Sequence, residues 1–142
     1  MAKLTIVGVQ HECGAEGLRG QGYPIMSKVD LVKGQLVTVK GELASAADGN
    51  KPPFGYVGWD TGDKAGKVIK NQIFRVVREA WVQMDTAKAP GTKIYLGDTD
   101  GELADAKGTT EYVVGVYLPD PENGANAHTA ESKLALLQFN FL

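Results

Sequence analysis

The stretch "PGTKIYLGDTDGELADAKG" (90–108) sets three carboxylates, Asp98, Asp100 and Glu102, around Gly101. Hard cations are held by oxygens at alternate positions, and D-x-D-G is how a calcium loop begins. The segment then lacks the third oxygen ligand at the next alternate position and the distal bidentate glutamate. Gly, Asp and Thr are also the residues of hairpin turns, through φ > 0 at glycine and Asx-type hydrogen bonds at aspartate. The expectation is a turn without a metal.

A second cluster, "QHECGAEG" (10–17), holds His11, Glu12, Cys13 and Glu16. A Cys–His pair can supply a nucleophile or half of a zinc site. The H-x-C spacing has no second C-x-x-C or H-x-x-x-H to complete it, and His128 is the only other histidine. The glycine-rich "GAEGLRGQG" (14–22) follows no strand-to-helix pattern that would cradle a phosphate, and no G-x-S-x-G, Walker loop or G-x-G-x-x-G occurs. Trp59, Trp81, Tyr56, Tyr95 and Tyr117 could stack sugars or bases, although aromatics in strands more often pack across the sheet. No motif calls for a cofactor, and the chain is read as non-enzymatic.

The elements that would carry these residues are short. With 142 residues the chain fits one domain and can bury roughly 68–70% of its unfolded surface. Its 18 glycines and 6 prolines favour turns over long helices. Runs rich in Val, Ile, Tyr and Trp recur between turn residues: "LTIVGV" (4–9), "QLVTVK" (35–40), "GYVGWD" (55–60), "IFRVV" (73–77), "AWVQMD" (80–85), "KIYLG" (93–97), "YVVGVYL" (112–118) and "LALLQFNF" (134–141). Several alternate with period two, Val82 and Met84 against Trp81 and Gln83, Ile94 and Leu96 against Lys93 and Tyr95, so one face is buried and the other wet. "HTAESKLALL" (128–137) is the best helical segment, a turn or two with Thr129 as N-cap. The fold expected is all-β, a single β-barrel or β-sandwich domain over 1–142 with at most one short helix.

A net charge of −2 provides no basic field for phosphate backbones, so nucleic acid is not an expected partner. The start "MAKLTIVGVQ" is too short an apolar run for a signal segment or a membrane span, and no membrane partner is expected. Cys13 alone rules out an intrachain disulfide. The glycine-rich segment 10–28 has little apolar content before Tyr23 and cannot offset the backbone entropy of ordering, about 1–2 kcal/mol per residue. A flexible arm is expected there.

An internal repeat organises the rest. Residues 32–61 set above 89–118 put Gly34 on Gly91 and Gly58 on Gly115, and "GELA" occurs at 41–44 and 101–104. The second copy carries three extra residues before its GELA, at the acidic triplet, which marks that triplet as a turn-length variant.

The repeated unit, carried by Gly34, Val37, Val57, Gly58, Gly91, Ile94, Leu96, Val114, Gly115 and Val116 and closed by "LLQFNF", resembles the small β-barrel capsid decoration, or cement, proteins of tailed bacteriophages. The resemblance spans about residues 29–141. It implies a structural virion protein on the outer surface of the capsid, made in the host cytoplasm, that stabilises the head. Its partners would be the major capsid protein and itself as a homotrimer, formed free or on the shell. The arm would order against a neighbouring chain, with Tyr23, Pro24, Ile25 and Met26 as apolar anchor and Arg19 as a charged contact. The alternative reading is a carbohydrate-binding β-module using Trp59 or Trp81.

Overall fold

In the computed structural model of the chain, the described residues are 2–13, 23–59, 63 and 65–139. Strand accounts for 44% of the structure and, among the described residues, no helix reaches seven residues, as the density of turn residues implies. The fold is a nearly closed antiparallel barrel of seven strands with smaller sheets beside it.

The barrel sheet runs in the order β1 (Lys3–Leu4), β11 (Leu103–Ala104), β10 (Lys93–Leu96), β12 (Val113–Tyr117), β13 (Ser132–Gln138), β9 (Glu79–Lys88), β2 (Ile6–Cys13). Its two edges, β1 and β2, are separated only by Thr5, so one N-terminal segment supplies both edges and brings the sheet near to closure. Asp85 holds that joint: its carboxylate accepts from the Thr5 N–H at 3.0 Å and its own N–H donates to the Thr5 carbonyl at 2.9 Å. The edge at β1 is only two residues long, while β2 pairs with β9 on one side. Ala80, Val82 and Met84 of β9 are buried with Trp81 outside, and Ile94 and Leu96 are buried with Lys93 outside, as the period-two pattern requires.

Of the segment 128–137, expected as a turn or two of helix, residues 132–137 are strand. β13 lies between β9 and β12 and pairs with both, and a strand hydrogen-bonded on two sides satisfies every backbone group that a lone helical turn would leave open. The helical element sits earlier, a 3-10 turn at Pro121–Asn126 whose cap, Asp120, accepts from the Glu122 N–H.

A second sheet has the order β3 (Tyr23–Met26), β8 (Ile73–Val77), β6 (Gly55–Val57), β5 (Leu36–Val37), and β4 (Leu31–Val32) pairs with β7 (Lys67–Val68). Alternate residues of the second sheet enter two different cores. Leu36, Tyr56 and Val77 join the barrel core with Leu96, Tyr117 and Leu137, whereas Val37, Val57 and Val76 join a smaller cluster with Leu31, Val68 and Phe74. This sheet is thus a wall between the cores, which is why β6 is buried on both faces.

The repeat is structural as well as sequential. The order β3-β8-β6-β5 reappears as β9-β13-β12-β10, and the connecting hydrogen bonds match in kind and length. Gly34 N–H donates to the Val57 carbonyl and Gly91 N–H to the Tyr117 carbonyl, both at 2.8 Å; Val57 N–H donates to Gln35 and Tyr117 N–H to Thr92, both at 2.9 Å. Gly41 and Gly101 hold the same turn at φ 78° and 74°, a conformation that disfavours any side chain. One anchor of the sequence alignment shifts. Leu36 and Val37 face Tyr56 and Gly55, while Lys93 and Ile94 face Val116 and Gly115, so the counterpart of Gly115 is Gly55, not Gly58.

Both ends of the segment expected as an arm, 10–28, contain strand. Residues 10–13 end β2 and residues 23–26 form β3, because both strands pair along the nearly continuous run of β8 and β9: Cys13 faces Glu79 and Tyr23 faces Val76. Residues 14–22, including Glu16 and Arg19, lie outside the described residues.

Candidate docking surface

The acidic triplet divides among separate tasks. Asp98 accepts from the Thr109 N–H at 2.8 Å and from its hydroxyl at 3.1 Å, bracing the turn from within. Glu102 pairs with Lys3 at 2.9 Å, and Asp100 is exposed. Asp98 and Glu102, but not Asp100, border an open recess of about 210 Å³ that Lys3, Thr99 and Leu103 also line. The neighbouring Asp105 does more for the fold: the Ala2 N–H donates to its carboxylate at 2.8 Å and Lys88 stands at 3.5 Å. Those contacts, the backbone bond first, hold its carboxyl below the usual range.

His11, Glu12 and Cys13 lie on β2 opposite Trp81, Ala80 and Glu79, and His128 is exposed beyond the 3-10 turn. Among the described residues no three His, Cys, Asp or Glu side chains stand together as metal ligands. Among the same residues, no helix is long and apolar enough to cross a membrane.

The aromatic residues also separate. Tyr56 and Tyr117 are in the barrel core, where Tyr117 donates its hydroxyl to the Thr86 carbonyl at 2.7 Å. Trp59 packs against that core under the Lys33 ammonium, 4.9 Å from its ring centre. Trp81 is exposed on the outer face of β9.

Of the anchor residues expected from the sequence, Ile25 packs against the smaller core and Tyr23 meets Phe54 edge-on at 6.3 Å. Pro24 and Met26 point outward. Met26 is 56% exposed and faces Ile73, which is 70% exposed, directly across the β3–β8 ladder. This pair belongs to a larger patch that sequence reasoning missed.

Three segments tied together at this end of the second sheet carry the patch. The Ser27 hydroxyl donates to the Ile69 carbonyl at 2.7 Å, the Lys28 N–H to the Gly41 carbonyl at 3.0 Å and the Lys70 N–H to the Asp30 carboxylate at 2.8 Å. Met26, Val29, Val32, Val39, Ile69 and Ile73 are all exposed large apolar side chains on these segments. Exposed Lys40, Lys67 and Lys70 lie among them. Scattered apolar residues on a surface mean little, but contiguous ones rimmed by charge mark interaction sites. The available signal was apolar residues inside lysine-bearing turns, "TVKG" (38–41) and "KVIKNQ" (67–72).

No protein-family model, curated protein or solved structure matches this chain.

Proposed function

We propose that this chain is a non-enzymatic structural protein of a tailed-phage virion, a decoration or cement protein that sits on the outer surface of the capsid and stabilises the head. The observation that carries the reading is the lysine-rimmed apolar end, Met26 to Ile73, beside a nearly closed barrel. A protein that strengthens a lattice must add protein–protein contact, and an exposed apolar end rimmed by charge on a compact β-domain supplies it. The contact partners in this reading are the major capsid protein and further copies of the chain, assembling as a trimer at threefold positions of the shell. Of the anchor residues, Pro24 and Met26 fall at the contact and Tyr23 and Ile25 support it from behind.

Quantification of proteins in purified particles tests the proposal. The chain is expected at a fixed ratio to the major capsid protein, retained through washing and released together with a loss of head stability. Particles that lack it, or hold it at variable trace levels, would overturn the proposal. A carbohydrate-binding role rests on exposed Trp81, and glycan binding abolished by Trp81→Ala in a folded protein would favour it instead.

A further inference from the structure

The two structural copies carry opposite charge. Residues 23–77 contain eight Lys or Arg against five Asp or Glu, and residues 82–138 contain four against nine. The contrast is sharpest at one pair of equivalent connections. Between β6 and β8 the chain displays Asp63 and then Lys67, Ile69 and Lys70 and runs into Ile73; between β12 and β13 it displays Glu122 and Glu131, with Asp120 partly buried beside them. The second connection also exposes Pro119, Pro121 and Ala125, small apolar groups that larger side chains can cover. Asn123 donates to the Glu131 carbonyl at 3.5 Å, which draws the two ends of the acidic loop together.

We infer that copies of this chain bind one another head to tail, the apolar, lysine-rimmed end around Ile69 and Ile73 of one copy seating on the acidic β12–β13 loop of the next. The inference deepens the reading of the exposed end as a docking face and names its occupant. Opposite charge on equivalent loops favours this pairing and opposes the two symmetric ones, since like ends repel. Burial of the apolar side chains provides most of the adhesion, while the opposite charges add to it and set register and rate. A head-to-tail contact closes into a ring or extends into a string according to its rotation, as any heterologous interface does.

Sedimentation of the free protein tests this without any capsid. The natural chain is expected to associate with rising concentration and to dissociate as salt is raised. Lys40→Glu with Lys70→Glu should make both ends acidic, and Glu122→Lys with Glu131→Lys should make both ends basic. Each double variant alone should bind itself at least about tenfold more weakly, a loss near 1.4 kcal/mol, and an equimolar mixture of the two should recover association. Ile73→Ser should weaken binding with its salt dependence retained. A natural chain that stays monomeric at every concentration, or folded variants whose mixture does not recover, would overturn the inference. Because no particle is present, such a failure leaves the virion reading standing, and absence of the chain from particles leaves this one standing.

Discussion

Gly55→Val and Gly115→Val are expected to destabilise the protein to a similar extent, by about 3 kcal/mol each. A Cβ at Gly115 would lie 2.6 Å from the Leu136 carbonyl oxygen and 2.7 Å from a Leu137 methyl. At Gly55 it would lie 2.5 Å from the Val77 carbonyl oxygen and 2.5 Å from a Val76 methyl. The obstructing atoms include backbone of a strand paired on its other side, β13 against β9 and β8 against β3, so relief requires moving a ladder rather than turning a side chain. The agreement between the two sites is the discriminating part, because they occupy the same position in the two copies of the unit. Denaturant unfolding of both variants checks it; one tolerant glycine and one intolerant one would show that the copies differ where they are described as equivalent.

Tyr117→Ala is expected to cost about 3–5 kcal/mol, the scale of deleting a large aromatic ring from a packed core. The ring is 1% exposed among Leu96, Ala135 and Leu137, and its hydroxyl is bound to the Thr86 carbonyl. Tyr117→Phe keeps the packing and removes only that bond, a loss of about 1 kcal/mol. The two variants also separate in alkali. Burial first, then the negative charges of Asp85 and Asp105, push the Tyr117 hydroxyl from 10.0 up to about 12. The fold therefore favours the protonated phenol, and that contribution is complete below pH 10 and is lost as pH rises toward about 12. Unfolding followed across that interval should show the natural protein losing stability more steeply than Tyr117→Phe. Parallel curves would place the phenol's titration elsewhere.

Much of this architecture could be read from single residues. Val82 and Met84, and Ile94 and Leu96, entered the core as their alternation implied, because an antiparallel strand with one buried face must repeat every second residue. The repeat was also legible, since Gly41 and Gly101 are needed for a turn that no other residue adopts readily. Register was not. Gly58 and Gly115 each sit in an apolar-Gly-apolar triplet, and only the hydrogen-bond ladder, with Leu36 opposite Tyr56 and Lys93 opposite Val116, places Gly55 as the true counterpart. Leu134 to Leu137 could satisfy a helical period as well as a strand, and pairing on both sides decided between them.

The docking surface was the least legible part for a related reason. Ile73 and Phe74 are adjacent apolar residues of one strand, yet Phe74 is 2% exposed and Ile73 is 70% exposed. Composition cannot distinguish them. Which one faces the core depends on the direction in which β8 presents its odd and even positions to the cluster around Leu31 and Val68, and that is set by partners more than forty residues away in sequence, Met26 among them.

A three-dimensional reconstruction of particles containing this chain tests the central claim most directly. The account predicts density for the barrel on the outer face of the shell, with the end bearing Met26, Ile69 and Ile73 buried against protein. Barrel density on the inner face, or on the outer face with that end turned to solvent, would contradict it.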